Sequence, residues 1–411
     1  MSDPSSKRAP ADRLSVTVVI GSLDVGGTER HIVDTISRLD RERFDPVIYL
    51  FGNRGPLADT AARAGVTIVE GPMTRRSFSW LPRPFRGGVS LAVTVAHLAL
   101  YLRRSRPDIC HCFLPLSCIL VAISAKLCRF KTLVASRRSL NNYQRGRPLT
   151  TRVERWAMRS MRVVMANSRA IERQLIAEGV SAGRIRVIYN GLDLHRLRCD
   201  AGRDASRAEL GLRPDTLVII VVANLIPYKG HADLFAGLAG VADRLPPDWC
   251  LLCVGRDDGI QRDLQTLADS SGIGGHVRFL GMRMDVGCLF RAADIAVSCS
   301  HQEGFSNSII EAMACGLPVV ATDVGGSAEA VADGVSGIIV ESGKPVQLGA
   351  AVLKLAGDEA LRLACARAGQ AKASKVYAIE EVVHSYEEIY RTVAGDTPAF
   401  RQSPAHRGRA G

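Results

Sequence analysis

Residues Ala296 to Gly326 read AVSCSHQEGFSNSIIEAMACGLPVVATDVGG. An apolar run from Asp294 to Cys299 leads into this stretch as a buried parallel strand. A loop, Ser300 to Phe305, follows, and Ser306 then stands as the cap of a helix from Asn307 to Cys315. Gly316 and Pro318 stop that helix, and Pro318-Val319-Val320-Ala321 begins the next strand. This is half of a doubly wound α/β sheet, which binds ligands in the crevice beyond the carboxyl ends of its strands. Two carboxylates stand there, Glu303 in the loop and Glu311 on the helix, with seven residues between them. The helix N-terminus between them offers free N–H groups and a positive dipole end, a phosphate site. Glu303 is then placed for a sugar hydroxyl and Glu311 for a ribose diol, which suits a nucleotide-diphosphate sugar.

Two glutamates at this spacing are common on solvated helix faces, so the spacing alone says little. The whole string says more. Glu303-Gly304-Phe305-Ser306-Asn307-Ser308-Ile309-Ile310-Glu311, followed by Ala312-Met313-Ala314-Cys315-Gly316-Leu317-Pro318-Val319-Val320-Ala321-Thr322, resembles the Glu-x7-Glu signature of retaining glycosyltransferase family 4. The resemblance implies an α/β protein of the GT-B fold, two Rossmann-like doubly wound domains facing a cleft. It runs from about Leu14 to Val393. The domains it implies are an acceptor domain at 14–194, joined by a returning helix at 378–393, and a donor domain at 195–377.

With 411 residues, 47% of them hydrophobic and 23% charged, the chain is long enough for two soluble globular domains. Residues 1–13, polar with Pro4 and Pro10, read as a disordered leader, and 394–411 as a disordered tail. The apolar stretches Val89–Leu102 and Leu114–Leu127 are shorter than the roughly 20 residues of a membrane span and read as buried helices. Eleven cysteines, scattered through apolar surroundings, favour reduced thiols and a cytoplasmic protein. Cys250 and Cys253 share one strand and point to opposite faces, so they read as packing, as do Cys110 and Cys112. The net charge of +12 is uneven: ten basic residues stand between Arg129 and Arg162 against one acid, Glu154. No nucleic-acid motif accompanies them. A solvated face and contact with an anionic membrane or lipid phosphate remain the two readings.

The first half alternates strand and helix. Leu14–Ile20 is a buried strand, and Gly26-Gly27 turns into a helix, Thr28–Leu39. A dinucleotide site is the rival there, but G-x-G-x-x-G is missing and Phe51-Gly52-Asn53-Arg54 lacks a ribose-binding acid. In the resembled family such a glycine loop touches the donor across the cleft. The loop Gly71–Gly88 is long enough to be functional. His111 ends a strand, Asp108–His111, and so points to the cleft edge, with a packing role as the alternative. Ser136-Arg137-Arg138 occupies the strand end where several relatives carry a histidine, which makes Arg137 or Arg138 a cation facing donor or acceptor. Leu194 to Pro214 reads as the linker between domains.

The second half opens with the strand Leu217–Ala223 and Asn224-Leu225-Ile226-Pro227-Tyr228-Lys229-Gly230. Relatives carry an arginine and a lysine that grip the diphosphate; here Lys229 stands, but Asn224 holds the arginine position. Lys229 and the helix dipole then carry more of the neutralisation. Met282, in the loop Gly281-Met282-Arg283, resembles a contact to the base. Gly325 to Val331 and Gly334 to Val340 match closing strands.

The resemblance implies transfer of a hexose-type sugar from a UDP- or GDP-sugar to an acceptor hydroxyl with retention, without metal or cofactor. Glu303 orients the sugar, Lys229 and Arg138 stabilise charge, and Glu311 holds the ribose. Gly26, Gly27, Asn224, Met282, Gly304, Phe305, Ser306 and Asn307 line the donor, and His111, Arg137 and Arg138 the acceptor side. The basic region Arg129–Arg162 points to a glycan or lipid-linked acceptor in envelope or exopolysaccharide assembly, for a protein that is cytoplasmic or peripheral at the inner face of the cell membrane. A GT-B nucleotide-sugar epimerase and a non-catalytic nucleotide-sugar binder are the alternatives.

Overall fold

The computed structural model describes residues 13–72, 83–144 and 146–395, and within them not the side chains of 83–87, 142 and 143. The leader before Arg13, most of the Gly71–Gly88 loop, Arg145 and the tail beyond Gly395 lie outside the described residues.

Valine- and isoleucine-rich runs, apolar on both faces, make parallel strands that helices must cover on both sides. The first half holds β1 (Leu14–Ile20), β2 (Phe44–Leu50), β3 (Thr67–Glu70) and β4 (Ile109–Phe113), then β5 (Leu133–Arg137), β6 (Val163–Ala166) and β7 (Ile185–Val187). They form one parallel sheet in the order β3-β2-β1-β4-β5-β6-β7. Between them run α1 (Gly27–Ile36), α2 (Leu57–Arg63), α3 (Arg83–Ser105), α4 (Pro115–Cys128), α5 (Pro148–Ser160) and α6 (Arg169–Ala177). Prolines at the first turns of α4 and α5 fix the helical start without losing a hydrogen bond.

After α7 (Arg203–Glu209) a second sheet follows: β8 (Leu217–Val222), β9 (Trp249–Val254), β10 (Val277–Gly281), β11 (Ile295–Ser298), β12 (Val319–Thr322) and β13 (Gly337–Val340). Its order is β10-β9-β8-β11-β12-β13, again parallel. Its helices are α8 (His231–Ala239), α9 (Gln261–Ser270), α10 (Val286–Ala292), α11 (Asn307–Ala314), α12 (Ser327–Ala330), α13 (Pro345–Gly357) and α14 (Glu359–Val376). Period-two alternation splits each strand between two cores. Leu217, Ile219 and Val221 of β8 enter one, Val218 and Ile220 the other. Cys253 and Cys250 divide in the same way.

The last helix, α15 (Ile379–Ala394), returns to the first sheet. Ile379, Val382, Val383, Tyr386, Tyr390 and Val393 recur at helical spacing and bury in the same core as Val16, Val18 and Ile20 of β1. The chain thus crosses between halves twice, and Leu192 bridges Ala378 where the crossings meet.

Within the linker 194–214 lie a 3-10 turn, Leu194–Leu197, and α7. Three expectations change. Gly325–Val331 forms no strand: α12 occupies it, because its first turn closes through Val331 N–H to Ser327 O. The cysteines are not all reduced, for Cys199 and Cys288 form a disulfide across 89 residues. Gly287 explains that pairing. A Cβ there would lie 2.3 Å from Leu197 O, so the linker rests directly on α10 and brings the two cysteine Cα atoms to 5.0 Å. Third, His111 lies mid-strand rather than at a strand end.

Candidate active site

Both sheets direct the carboxyl ends of their strands at one cleft, the position where open α/β sheets bind ligands. On the side of the second sheet, β8 runs into Ala223–Ile226, a 3-10 turn Pro227–Lys229 and Gly230. Gly230 adopts φ +74°, and a Cβ on it would stand 1.9 Å from Cys299 O. Only glycine allows this turn to lie flat on the end of β11. The close approach sets Lys229 Nζ 2.5 Å from Glu303 Oε1, and the Ser300 hydroxyl donates to the same oxygen at 2.8 Å. Both side chains of the ion pair are mostly buried, 19% and 12% exposed.

The loop Glu303–Phe305 is gripped from both halves. A Cβ on Gly304 would meet Arg138 O at 2.2 Å, so the backbones of the two halves touch there. Phe305 packs against Tyr189 and Tyr377, with ring centroids 5.2 and 5.4 Å away. Asn190 joins the halves by hydrogen bonds: its Nδ2 donates to Asn307 Oδ1 at 2.5 Å and to Phe305 O at 3.4 Å. Its Oδ1 accepts from Arg138 Nη2 at 2.7 Å and from Asn167 Nδ2 at 3.3 Å. Glu329 on α12 makes a second crossing. Its carboxylate accepts from the N–H groups of Arg169 and Ala170, at 2.8 and 3.0 Å, and from the Tyr189 hydroxyl at 3.1 Å. A carboxylate of one half thereby caps α6 of the other.

Asn307 opens α11, although Ser306 caps it by position only: its hydroxyl pairs with that of Ser308 and reaches no backbone N–H. Glu311 lies one turn further on. Burial pushes its carboxyl up, and the charges of Arg196 and Arg30 pull it back. Across the cleft, Gly26 and Gly27 start α1, and a Cβ on Gly27 would be 3.7 Å from Asn307 Nδ2. Two helix N-termini therefore converge from opposite halves, a concentration of free N–H groups suited to an anion. Glu29 of α1 is half-buried and its carboxyl is raised by burial, with Arg138 opposing. Burial lowers the partly buried Arg138, with Tyr386 and Glu29 supporting its charge.

The other sequence candidates scatter. His111 is fully buried, its Nδ1 2.7 Å from the Tyr390 hydroxyl and its Nε2 2.9 Å from Ser136 Oγ. Burial, with Arg138 adding repulsion, takes its pKa down to about 3, so it is a neutral core residue and does not reach the cleft. Arg137 is 2% exposed and pairs with Glu154 on α5 and, at 3.7 Å, with Glu178. Side chains alternate along β5, so Arg137 faces the α5–α6 core while Arg138, just past the strand, turns to the cleft. Asn224 is exposed and accepts from Arg256 N–H at 3.2 Å. Met282, 62% exposed, sits in the loop after β10. Asn190, Asn167 and Glu329 were not among the site candidates, although Asn167-Ser168 and Asn190-Gly191 follow strand ends and resemble motifs that close the first domain of the family.

Away from the strand ends, α5 carries part of the basic region Arg129–Arg162. Arg147, Arg152 and Arg155 are exposed beside Leu149, 80% exposed. A cavity of about 330 Å³ opens at its start, lined by Asn141, Arg147, Thr151 and Arg155 among others. Among the described residues no helix is long and apolar enough to cross a membrane.

Comparison with known proteins agrees with this layout. Residues 202–372 match the family Glycosyl transferases group 1, and residues 25–196 match Glycosyltransferase Family 4. The chain is 38% identical over 198 residues to a D-inositol 3-phosphate glycosyltransferase of Segniliparus rotundus, covering 47% of this chain and 43% of that protein. It is 32% identical over 271 residues to the D-inositol 3-phosphate glycosyltransferase of Mycobacterium tuberculosis, covering 62% and 54%. It spans about half the length of the curated relatives it matches. A crystal structure of Anabaena Alr3699/HepE in complex with UDP-glucose has a TM-score of 0.79 at 25% identity, over 92% of this chain and all of that one. WaaG, a glycosyltransferase involved in lipopolysaccharide biosynthesis, has a TM-score of 0.68 at 20% identity over 92% of this chain and all of its own. These likenesses fix the fold as GT-B.

Proposed function

The chain belongs to glycosyltransferase family 4, and from that premise we propose that it transfers a hexose-type sugar from a nucleotide-diphosphate sugar to an acceptor hydroxyl, with retention. The observation that carries the reading is the Lys229–Glu303 pair beside the start of α11, with Glu311 one turn along and Gly26–Gly27 opposite. In this reading the diphosphate lies between the two helix N-termini. Leaving-group charge is met by Lys229, by Arg138 and by backbone N–H groups near Gly304–Asn307, all fixed before the reaction. Glu303 turns its carboxylate to the sugar, and the hydrogen bonds from Lys229 and Ser300 hold it in place. Glu311 takes the ribose hydroxyls, and Met282 lies against the base. No nucleophile is assigned. The leaving phosphate accepts the proton of the acceptor hydroxyl, and neither metal nor cofactor is invoked. Closure of the halves around the donor assembles the site.

The UDP-glucose held by the Anabaena neighbour supports a uridine donor. The acceptor would be anionic. The arginine-lined cavity at α5 suits a phosphate, and the curated relatives are named for an inositol phosphate. A lipid-linked phosphate in envelope or exopolysaccharide assembly adds a reason for Leu149 and the exposed arginines to lie together on one surface, at the inner face of the membrane.

Thermal titration with UDP, GDP, ADP and their sugar conjugates, on wild type and Glu311→Ala, tests the donor half. One nucleotide raising the wild-type midpoint alone supports it; no shift at millimolar ligand with any of them sinks it. Release of free epimer, or affinity without turnover toward any acceptor, would favour the epimerase or the binder. Charge reversal at Arg147, Arg152 and Arg155 tests the surface: unchanged binding to vesicles containing anionic lipid removes the membrane and leaves a soluble phosphorylated acceptor.

A further inference from the structure

Asn224, just past β8, brings no charge to the strand ends, so a diphosphate there needs its cations from other residues. Most basic side chains near the cleft are already held by acids. Lys229 is bound to Glu303, Arg196 to Asp34 at 2.8 Å, Arg256 to Asp258 at 2.8 Å, and Arg283 to Asp285. Arg138 donates to the Asn190 amide and faces Glu29. Arg30 differs. It is partly buried on α1, and among the described residues no carboxylate comes within ion-pair distance of its guanidinium. The hydrogen bond drawn to it is a long one, from Nη2 to Met284 Sδ at 3.9 Å. A thioether is a weak acceptor, and Met284 is itself 70% exposed, so this contact is readily exchanged. Glu311 and Asp34 support the charge of Arg30 only from a distance, so a phosphate in direct contact would add an ion pair that the protein itself does not supply.

Position makes the phosphate specific. Gly27 faces Asn307 across the cleft, where the two helix N-termini converge. One turn along α1 is Arg30; one turn along α11 is Glu311; and their charges act on each other. A diphosphate between the N-termini, with its ribose at Glu311, brings the ribose-linked phosphate beneath Arg30. We infer that Arg30 binds the phosphate next to the ribose of the nucleoside-diphosphate donor from the opposite half, supplying the cation that Asn224 does not. This rests on the donor site of the proposed transferase. Because Arg30 belongs to the first half and Met284 to the second, the donor exchanges a protein contact across the cleft for a charged one, which ties closure to an occupied diphosphate site.

The test is calorimetric titration of wild type, Arg30→Met and Arg30→Lys with UDP, GDP and ADP, and with the nucleoside of whichever binds most tightly. Arg30→Met is expected to weaken the diphosphate about tenfold or more and the nucleoside less than twofold, with Arg30→Lys recovering part of the loss. Near-equal affinity of wild type and Arg30→Met for the diphosphate, at unchanged melting midpoint, overturns the inference while the donor site stands. An equal loss for nucleoside and diphosphate also overturns it, since that marks a distorted fold rather than a lost charge. Absence of any nucleotide binding by wild type overturns the donor site and this inference together. Should Arg30→Met fail to fold, Arg30→Lys against Arg30→Gln gives the same comparison.

Discussion

Gly230→Ala separates the two things that glycine does in the candidate site. At φ +74° an alanine sits in the left-handed region, which costs an L-residue about 1–2 kcal/mol. Gly272 has φ +76° and nothing within 4 Å of the place a Cβ would occupy, so Gly272→Ala carries that cost alone. At Gly230 the Cβ would also stand 1.9 Å from Cys299 O, and real contacts of this kind stop near 3.0 Å. The turn must therefore retreat by about 1.1 Å. That motion is comparable to the whole slack of the 2.5 Å contact between Lys229 and Glu303, and a misplacement of about 1 Å is enough to cost on the order of a hundredfold in rate. Gly272→Ala should lower the melting midpoint by a few degrees, about 2–4 °C per kcal/mol, and leave donor affinity unchanged. Gly230→Ala should lower it further and also weaken UDP-glucose binding at least tenfold, read by thermal shift and titration. Equal melting losses and equal donor affinity in the two variants would refute the claim that the Gly230–Cys299 approach positions Lys229.

Two further outcomes follow from the packing. Under denaturing, non-reducing conditions the chain should titrate nine thiols rather than eleven, and gain about 2 Da on reduction, with Cys199 and Cys288 appearing in one linked peptide; eleven thiols would remove the disulfide. Stability should fall on mild acidification, because burial holds His111 near a pKa of about 3 and His231 near about 4, with Lys229 adding repulsion at the second. Both values lie below the ordinary 6.5, so the folded protein takes up fewer protons than the unfolded chain; the contribution is whole above about pH 6.5 and is lost as pH falls toward 4 and 3. At pH 5 each histidine accounts for about 2 kcal/mol, set by the distance from 6.5 and not by how far below 5 the folded value lies. Urea midpoints at pH 7 and 5 for wild type and His111→Gln check it, and an equal pH dependence in both would contradict a neutral core role for His111.

The strands were legible because their burial is two-sided: runs such as Val163–Ala166 and Leu217–Val222 are apolar without alternation, and only a covered parallel sheet needs that. The local half of the site was legible for a related reason. Glu303, Asn307 and Glu311 lie on one strand–loop–helix unit, so spacing along the chain is spacing in space. The contacts between halves were not legible. Asn190 and Asn307 meet across 117 residues, and Glu329 caps a helix 160 residues before it. No local pattern marks the contact that either residue makes. His111 misled because the end of a strand was set one turn of the zigzag too early; two more residues of β4 move the side chain from the cleft into the core. Arg137 and Arg138 misled each other, as neighbours on a strand must face opposite ways and sequence alone does not say which is which.

That difference bears on how the site works. The loop Glu303–Phe305 takes its place from Gly325 and Gly326 behind it, from Arg138 O in front, and from Asn190 beside it. Two of those three supports come from the first half of the chain. Swinging the halves apart would remove the Asn190 bridge and the Arg138 contact together, leaving Glu303 held by Lys229 and Ser300 but unsupported on its cleft side. The geometry at Glu303 is therefore a property of the closed cleft. A donor that binds the second half first would meet a loop still free to adjust, and closure would then fix it. Asn190, whose one amide links Arg138, Asn167, Phe305 and Asn307, is the point through which that fixing passes.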